Sequence, residues 1–242
     1  MIDLFTKKIK TSYFIRTLYY GAKRMRDKIK YSRGTTIADR GCSKLVKEFV
    51  GRDNRIEIGE GSYLVKPRVR IHGDRNTIRI GNKVSMGKGC SIWVEGNGIE
   101  VNIGSCTSFT ENVHICAQED GMRIDIGEDC MLSNNIIIRT SDSHPIYDPD
   151  TSRRTNPPAP VTIGNHVWIA PHSTIMKGVA VGDGAIIGSH SLVTKNSPPP
   201  QFMRRHSGQG RKAERRMEQG KIVLNAWKKR VSISASSFRS TK

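Results

Sequence analysis

Residues 163–193 read IGNHVWIAPHSTIMKGVAVGDGAIIGSHSLV, and the rhythm of this stretch decides the fold. Every sixth residue is aliphatic, and a small residue follows most of these positions. Such a rhythm is typical of a coil with three sides, each a short strand that points one aliphatic side chain inward and ends at a corner. Three sides make a coil of about 18 residues, which is the separation of Ile163 and Val181. The aliphatic positions are Ile163, Ile169, Ile175, Val181, Ile187 and Val193, and Gly or Ala follows at 164, 170, 182 and 188.

Earlier aliphatic–Gly pairs extend the repeat towards the N-terminus. Their spacings of 22, 23 and 23 residues predict one coil with a small corner bulge, and the 37-residue interval after Ile126 predicts two coils with an insertion. An ordinary sandwich of short strands would instead alternate every two residues. We therefore predict an all-β parallel β-helix, a triangular solenoid, over residues 51–196. The pairs are Ile58-Gly59, Ile80-Gly81, Ile103-Gly104 and Ile126-Gly127.

Positive charge is concentrated at the two ends of the chain. Residues 1–50 carry 13 Lys/Arg against 4 Asp/Glu, and residues 197–242 carry 12 against 2, which leaves −1 for the middle of a chain of net charge +18. A near-neutral middle argues against a nucleic-acid-binding domain. The pattern over residues 1–33 predicts a basic amphipathic helix within an N-terminal cap of residues 1–50. This helix covers the open first coil or contacts an anionic membrane surface.

The cysteines and the apolar segments indicate a cytoplasmic protein. The five cysteines form no CxxC pair, so they predict neither a zinc site nor a disulfide framework, and we interpret them as reduced, packed side chains. No apolar run reaches membrane-spanning length, and the N-terminus lacks the pattern of a secretory signal. The expected location is the cytoplasm, with the inner face of the membrane as an option for the basic helix. The cysteines are Cys42, Cys90, Cys106, Cys116 and Cys130.

The chemistry is predicted to lie in an insertion at residues 139–162, where residues 140–148 read TSDSHPIYD. A long loop leaving a rigid solenoid is where function usually lies. His144 has Asp142 and Asp148 nearby in sequence. A neutral imidazole can take a proton from a hydroxyl, while a nearby carboxylate or a backbone carbonyl fixes its tautomer. His114 is the second candidate for a site role. His166 and His172 occupy coil positions and are expected at the surface or an interface.

Four segments of the chain resemble the hexapeptide-repeat acyltransferases and, within them, bacterial polysaccharide and sugar O-acetyltransferases. The segments are DSHPIYD at 142–148, PVTIGNHVWIA at 160–170, IMKGV at 175–179 and VGDGAIIGS at 181–189. The resemblance covers about residues 54–200 and is strongest over 126–196. It implies that the parallel β-helix is left-handed.

The resemblance also implies an activity. His144 would deprotonate a sugar hydroxyl that attacks the thioester of acetyl-CoA, Trp168 would line the tunnel at that thioester, and backbone amides would hold the oxyanion. No metal is implied, and the active sites would form between the subunits of a homotrimer. Rival interpretations are an N-acetyltransferase acting on an amino-sugar nucleotide and a catalytically inactive solenoid scaffold. The implied CoA contacts are Trp168, Ala170, Lys177, Gly188, Ser189 and Lys195.

The basic tail at 197–242 departs from the resemblance, because it loses the aliphatic rhythm and has a composition that favours disorder. Its codons, read one base later, are compatible with the family ending. We hypothesise a frame shift near residues 196–200, with a natural basic extension as the alternative. Resequencing the DNA over this stretch distinguishes the two.

Overall fold

The computed structural model describes residues 35–197 and the backbone of 202–203, and this part of the chain is built from strands without a helix. The strands form three sheets. Sheet 1 consists of β1 Thr35–Asp39, β4 Asn54–Ile58, β7 Thr77–Ile80, β10 Glu100–Ile103, β13 Arg123–Ile126, β16 Val161–Ile163 and β19 Ala180–Val181. Sheet 2 consists of β2 Cys42–Ser43, β5 Tyr63–Leu64, β8 Ser85–Met86, β11 Ser108–Phe109, β14 Met131–Leu132, β17 Trp168–Ile169, β20 Ile186–Ile187 and β22 Phe202–Met203. Sheet 3 consists of β3 Val46–Val50, β6 Arg68–His72, β9 Ser91–Glu95, β12 His114–Gln118, β15 Ile137–Arg139, β18 Thr174–Ile175 and β21 Leu192–Val193.

Each strand pairs in parallel with the strand that occupies the same side one coil later. In sheet 1, Ile58 lies opposite Ile80, which lies opposite Ile103, and the row continues through Ile126 to Ile163. The predicted parallel β-solenoid, with one strand per sheet in every coil, is therefore confirmed. Its triangular cross-section and left-handed sense stay predictions.

The core is the inward-facing aliphatic row that the six-residue rhythm predicted. The six positions from Ile163 to Val193 are between 0 and 2% exposed. Each lies on its own strand, from β16 to β21. Full burial of such a side chain contributes roughly 1.5–3 kcal/mol, so the stack stabilises every coil against its neighbours.

Glycine and asparagine shape the bulged corners of the early coils. Gly51 and Gly73 have φ of 126° and 131°, in the left-handed half of conformational space, and a Cβ on Gly73 would lie 1.9 Å from the Gly96 carbonyl oxygen. The buried Asn54 amide donates to the Gly73 carbonyl at 2.9 Å and accepts from the Asn76 N–H at 2.9 Å. These contacts explain why both early repeat units begin with Gly and carry Asn three residues later.

The solenoid begins before the boundary expected at residue 51. Strands β1 to β3 complete a coil within residues 35–50, which the sequence had assigned to the cap. This coil lacks an aliphatic–Gly pair, and only Ile37, Leu45 and Phe49 are partly buried hydrophobics packed against the core. The predicted helix at 1–33 lies outside the described residues, as does the tail after Ser197 apart from the β22 backbone.

The prediction of two coils between Ile126 and Ile163 is wrong. Strand β13 pairs directly with β16, so this interval is a single coil and residues 140–160 form one loop. The interval is long enough for two coils, but Thr140 and Ser141 end the aliphatic rhythm and five prolines follow within the loop. Proline lacks the N–H that a central strand needs.

The four cysteines whose side chains the structure describes are unpaired. Cys90, Cys116 and Cys130 are buried and Cys106 is exposed. Burial raises the pKa of Cys116 and of Cys130 to about 11, so both thiols are protonated at neutral pH. Residues 35–197 also include no helix that is long and apolar enough to cross a bilayer.

Replacing Gly73 with Ala should destabilise the solenoid far more than replacing Gly98. Gly98 also has a positive φ, of 63°, but nothing lies within 4 Å of its added Cβ. The Gly98→Ala variant should therefore lose only about 1–2 kcal/mol of unfolding free energy through backbone strain. The Gly73→Ala variant adds a clash with backbone and should lose more than about 3 kcal/mol. Urea unfolding measures both, and equal losses would contradict this packing.

Candidate active site

The loop at 140–160 leaves sheet 3 after β15 and returns to sheet 1 at β16. Its outer part is a short hairpin, in which Tyr147 and Arg154 form an antiparallel bridge. Asp148 makes the turn, because its Oδ1 accepts bonds from the backbone N–H of Asp150 at 3.1 Å and of Thr151 at 2.8 Å. An aspartate that bonds to the backbone beyond it is a common turn former. The loop is therefore locally ordered by its own sequence.

Two buried hydroxyl residues attach the foot of the loop to the coil below. Thr140 and Ser141 are 0% exposed. The Thr140 hydroxyl donates to the Gln118 carbonyl at 3.0 Å and accepts from the Gln118 N–H at 2.9 Å. Thr140 thus replaces a pair of ladder bonds at the point where the strand ends.

Glu119 joins the outgoing and returning limbs of the loop. Its carboxylate accepts from the Ser141 hydroxyl at 2.5 Å and from both terminal nitrogens of the Arg154 guanidinium, one of them at 2.7 Å. The bonds from Arg154 hold the pKa of Glu119 below its usual value. A bidentate pair of this kind adds geometric specificity, so it sets the distance between the two limbs.

Asp142 is bonded to a lysine of the next coil. Its Oδ2 accepts from Lys177 Nζ at 2.6 Å and from Asn156 Nδ2 at 3.0 Å. These bonds, the one from Lys177 first, hold the pKa of Asp142 below its ordinary value of 3.8. The carboxylate predicted to orient the imidazole is therefore engaged with a cation and an amide.

His144 is exposed, while the backbone around it is held from both sides. Its carbonyl accepts from Asn156 Nδ2 at 2.8 Å, and the Ile146 N–H donates to Asn156 Oδ1 at 2.6 Å. On the other side Ser143 has a positive φ of 70°, and its hydroxyl donates to Gln118 Oε1 at 2.7 Å. Arg139 also donates to the Ser143 hydroxyl at 2.8 Å. The imidazole thus projects from a turn with a fixed backbone.

Trp168 lies on β17 of sheet 2, whereas the loop joins sheets 3 and 1. The indole is half-buried, and its N–H donates to the Ser133 hydroxyl at 3.4 Å. Ala170 follows it, is 6% exposed and donates its N–H to the Ile187 carbonyl at 2.9 Å. The Ala170 amide is therefore committed to the sheet ladder.

The remaining predicted CoA contacts differ in whether their polar groups already bond to other parts of the protein. Lys177 is the partner of Asp142, and the Gly188 carbonyl accepts from Ser173 at 2.9 Å. The exposed Ser189 donates its hydroxyl to the Pro171 carbonyl at 2.9 Å. Lys195 is exposed at the last described coil. Of the two predicted lysines, Lys195 is the one that is free of the loop.

The other histidines lie outside the loop. His114 lies half-buried on sheet 3, with Nδ1 2.7 Å from the Ser91 hydroxyl, and burial first and Arg139 second lower its pKa. The exposed His166 lies 3.0 Å from the Asp129 carboxylate. His172 and its neighbour one coil later stack their rings at 4.6 Å on the surface.

Sequence reasoning missed the three residues that hold the loop together, Glu119, Arg154 and Asn156. Arg154 and Asn156 lie within the insertion, but nothing in their spacing names Glu119 as a partner 35 residues away. Glu119 has a φ of 75°, which is unusual for a residue other than Gly. The described residues hold no cluster of His, Cys, Asp or Glu suited to a metal ion.

Comparison with known proteins finds acetyltransferases among the proteins that this chain resembles. The family profile for bacterial transferase hexapeptide (six repeats) matches residues 160–195. A polysialic acid O-acetyltransferase of Neisseria meningitidis is 35% identical over 130 residues, which cover 53% of this chain and 58% of the relative. A galactoside O-acetyltransferase of Escherichia coli K12 is 55% identical over 40 residues, 16% of this chain and 20% of the relative. The chain thus spans a little over half the length of the Neisseria relative.

Solved structures match over a longer stretch. The crystal structure of the polySia specific acetyltransferase NeuO superimposes with a TM-score of 0.59 and 26% identity, covering 81% of this chain and 99% of that chain. The polysialic acid O-acetyltransferase OatWY superimposes with the same TM-score and identity, covering 79% and 95%. The solenoid fold is therefore shared with acetyltransferases of known structure.

Removing the Lys177 ammonium should raise the pKa of Asp142 towards 3.8, because the bond from Lys177 is the largest cause of its depression. In the wild type this carboxylate stabilises the loop fully above pH 3.8, the ordinary pKa of aspartate. That stabilisation is lost as the pH falls through the lower pKa of Asp142 in the folded protein. Carbon-13 NMR of the carboxyl group measures the midpoint in Lys177→Met, with Lys195→Met as a control expected to leave it in place. An unmoved midpoint in Lys177→Met would contradict the pairing.

Proposed function

We propose that this chain is a hexapeptide-repeat acyltransferase that moves an acetyl group from acetyl-CoA to a sugar hydroxyl of a surface polysaccharide or its precursor. The observation that carries the proposal is His144, exposed on a loop whose side chains bond to Gln118 in one coil and to Lys177 in the next. The relatives named as polysialic acid O-acetyltransferases make an acidic sugar polymer the first acceptor to assay.

The proposed chemistry needs one base and no change of redox state. The His144 imidazole takes the proton of the acceptor hydroxyl as its oxygen attacks the thioester carbon of acetyl-CoA. The tetrahedral oxyanion then collapses, the carbon–sulfur bond breaks, and the imidazolium returns its proton to the departing CoA thiolate. The products are an acetyl ester and CoA. A positioned base of this kind contributes roughly 10²–10⁴-fold to the rate.

The charges around the loop suit this role for His144. Asp142 is paired with Lys177 and Glu119 with Arg154, so these two carboxylates are held in ion pairs. The imidazole ring is then oriented by the backbone turn that carries it and not by a bond to a carboxylate. An oxyanion donor would have to be a backbone amide other than that of Ala170, because the Ala170 N–H is bonded to Ile187.

We further propose that the site is completed by a second copy of the chain in a homotrimer. The loop leaves sheet 3 and enters sheet 1, while Trp168 is on sheet 2. A ring of subunits could bring the Trp168 indole of one copy to the His144 loop of the next. The indole would line the acyl end of CoA, and the exposed Lys195 and Ser189 would contact its polar part.

Replacing His144 with Ala should lower kcat for acetyl transfer by roughly 10²–10⁴-fold, because the variant loses its base. His166→Ala is the matched control: it removes an exposed imidazole outside the loop and should keep activity within about twofold. Release of CoA thiol is measured with polysialic acid, neutral sugars and an amino-sugar nucleotide as acceptors. Wild-type turnover in His144→Ala would refute the assignment, and preference for the amino-sugar nucleotide would redirect it to N-acetylation.

A site shared between subunits predicts complementation between two impaired variants. Neither His144→Ala nor Trp168→Ala should be active alone, but co-expressed chains should assemble some sites that have both groups intact. Random assembly into a ring makes about one site in four intact, so activity should recover to about a quarter of wild type. Mixing the two variants after separate assembly is the control. Failure to recover activity in mixed oligomers would place both groups within one subunit.

A further inference from the structure

Asn156 bridges the two limbs of the loop at the residue that carries the imidazole. Its Nδ2 donates to the His144 carbonyl at 2.8 Å and to Asp142 Oδ2 at 3.0 Å, and its Oδ1 accepts the Ile146 N–H at 2.6 Å. One amide side chain therefore satisfies two backbone groups and one carboxylate. The Glu119 carboxylate and the Lys177 ammonium, in contrast, bond to side chains of the loop.

Two of these bonds hold the backbone groups on either side of Pro145. The fixed geometry of proline adds to the restriction of the backbone there. The ring of Pro145 fixes its own φ and restricts the residue before it, His144, to extended conformations. Asn156 then fixes the carbonyl before the proline and the N–H after it. The held His144 carbonyl and the restricted conformation before proline set the direction of the His144 Cα–Cβ bond, so one side chain fixes the backbone from which the imidazole projects.

We infer that Asn156 is the positioning residue for His144, an inference that rests on the proposed function. Asn156 acts through the backbone and contacts neither reactant. Lys177 supports it indirectly by sharing Oδ2 of Asp142 with the same amide. The loop thus holds the base by its main chain and leaves both ring nitrogens free for the reaction.

The test compares Asn156→Ala with Thr155→Val. The Thr155 hydroxyl also bonds across the loop, to the Ile146 carbonyl at 3.1 Å, but no hydrogen bond joins it to His144 or Asp142. A base displaced by about 1 Å costs on the order of 10²-fold, so Asn156→Ala should lose roughly 10–10²-fold in kcat with an unchanged KM for acetyl-CoA. Thr155→Val should keep most of its activity. Thermal unfolding should be unchanged in both, because the loop lies outside the core.

A second variant tests the N–H group of the Asn156 amide separately from its oxygen. Asn156→Asp keeps an oxygen for the Ile146 N–H but loses the N–H bonds to His144 and Asp142 and places a second carboxylate beside Asp142. It should lose at least as much activity as Asn156→Ala. Wild-type kcat in Asn156→Asp or Asn156→Ala would overturn the inference.

The double variant His144→Ala/Asn156→Ala separates positioning from a general structural effect. If Asn156 acts only through the imidazole, adding its loss to His144→Ala should reduce the residual rate no further. A further loss of the same 10–10²-fold would show a role independent of His144 and overturn the inference. His144→Ala alone tests the proposed function: if that variant is inactive and Asn156→Ala is fully active, the function stands and the inference fails.

Discussion

The register between β13 and β16 is the constraint on which the rest of the molecule depends. Because Ile126 lies directly opposite Ile163, everything between residues 140 and 160 must leave the sheets as one loop. The inward aliphatic stack enforces this register, since a slip of one residue would expose a whole side of buried side chains. The solenoid therefore carries one loop at a fixed coil, next to Gln118 and Glu119 of the preceding coil.

The loop is ordered by polar bonds because it has little apolar surface to bury. Glu119 holds its two limbs together, and Lys177 fastens Asp142 to the next coil. The carboxylates of Glu119 and Asp142 each have their own cation, so both are held in ion pairs. The consequence for mechanism is that the imidazole is oriented by the main-chain turn that Asn156 holds, and Asp142 contributes to that turn rather than to the ring.

The sequence predicts the fold well where the determinants are local. The rhythm from Ile163 to Val193 reflects inward packing within each side of the coil, and every one of those side chains is buried. The 37-residue interval was misjudged because two coils and one coil with a loop have similar lengths, and only the prolines and Thr140 distinguish them. The first coil was not predicted because its strands β1 and β3 are largely exposed, so their sequence lacks the regular buried aliphatic positions.

The role of His144 as a base is a prediction from its motif and stays one. The partners of Asp142 could not be predicted from the sequence, because Lys177 lies 35 residues away and meets it only through the stacking of coils. The most direct test of the account is a crystal structure with CoA and an acceptor sugar bound. The account predicts a ring nitrogen of His144 within about 3 Å of the acceptor oxygen, close to the sulfur of CoA. An acceptor bound away from this imidazole would contradict it.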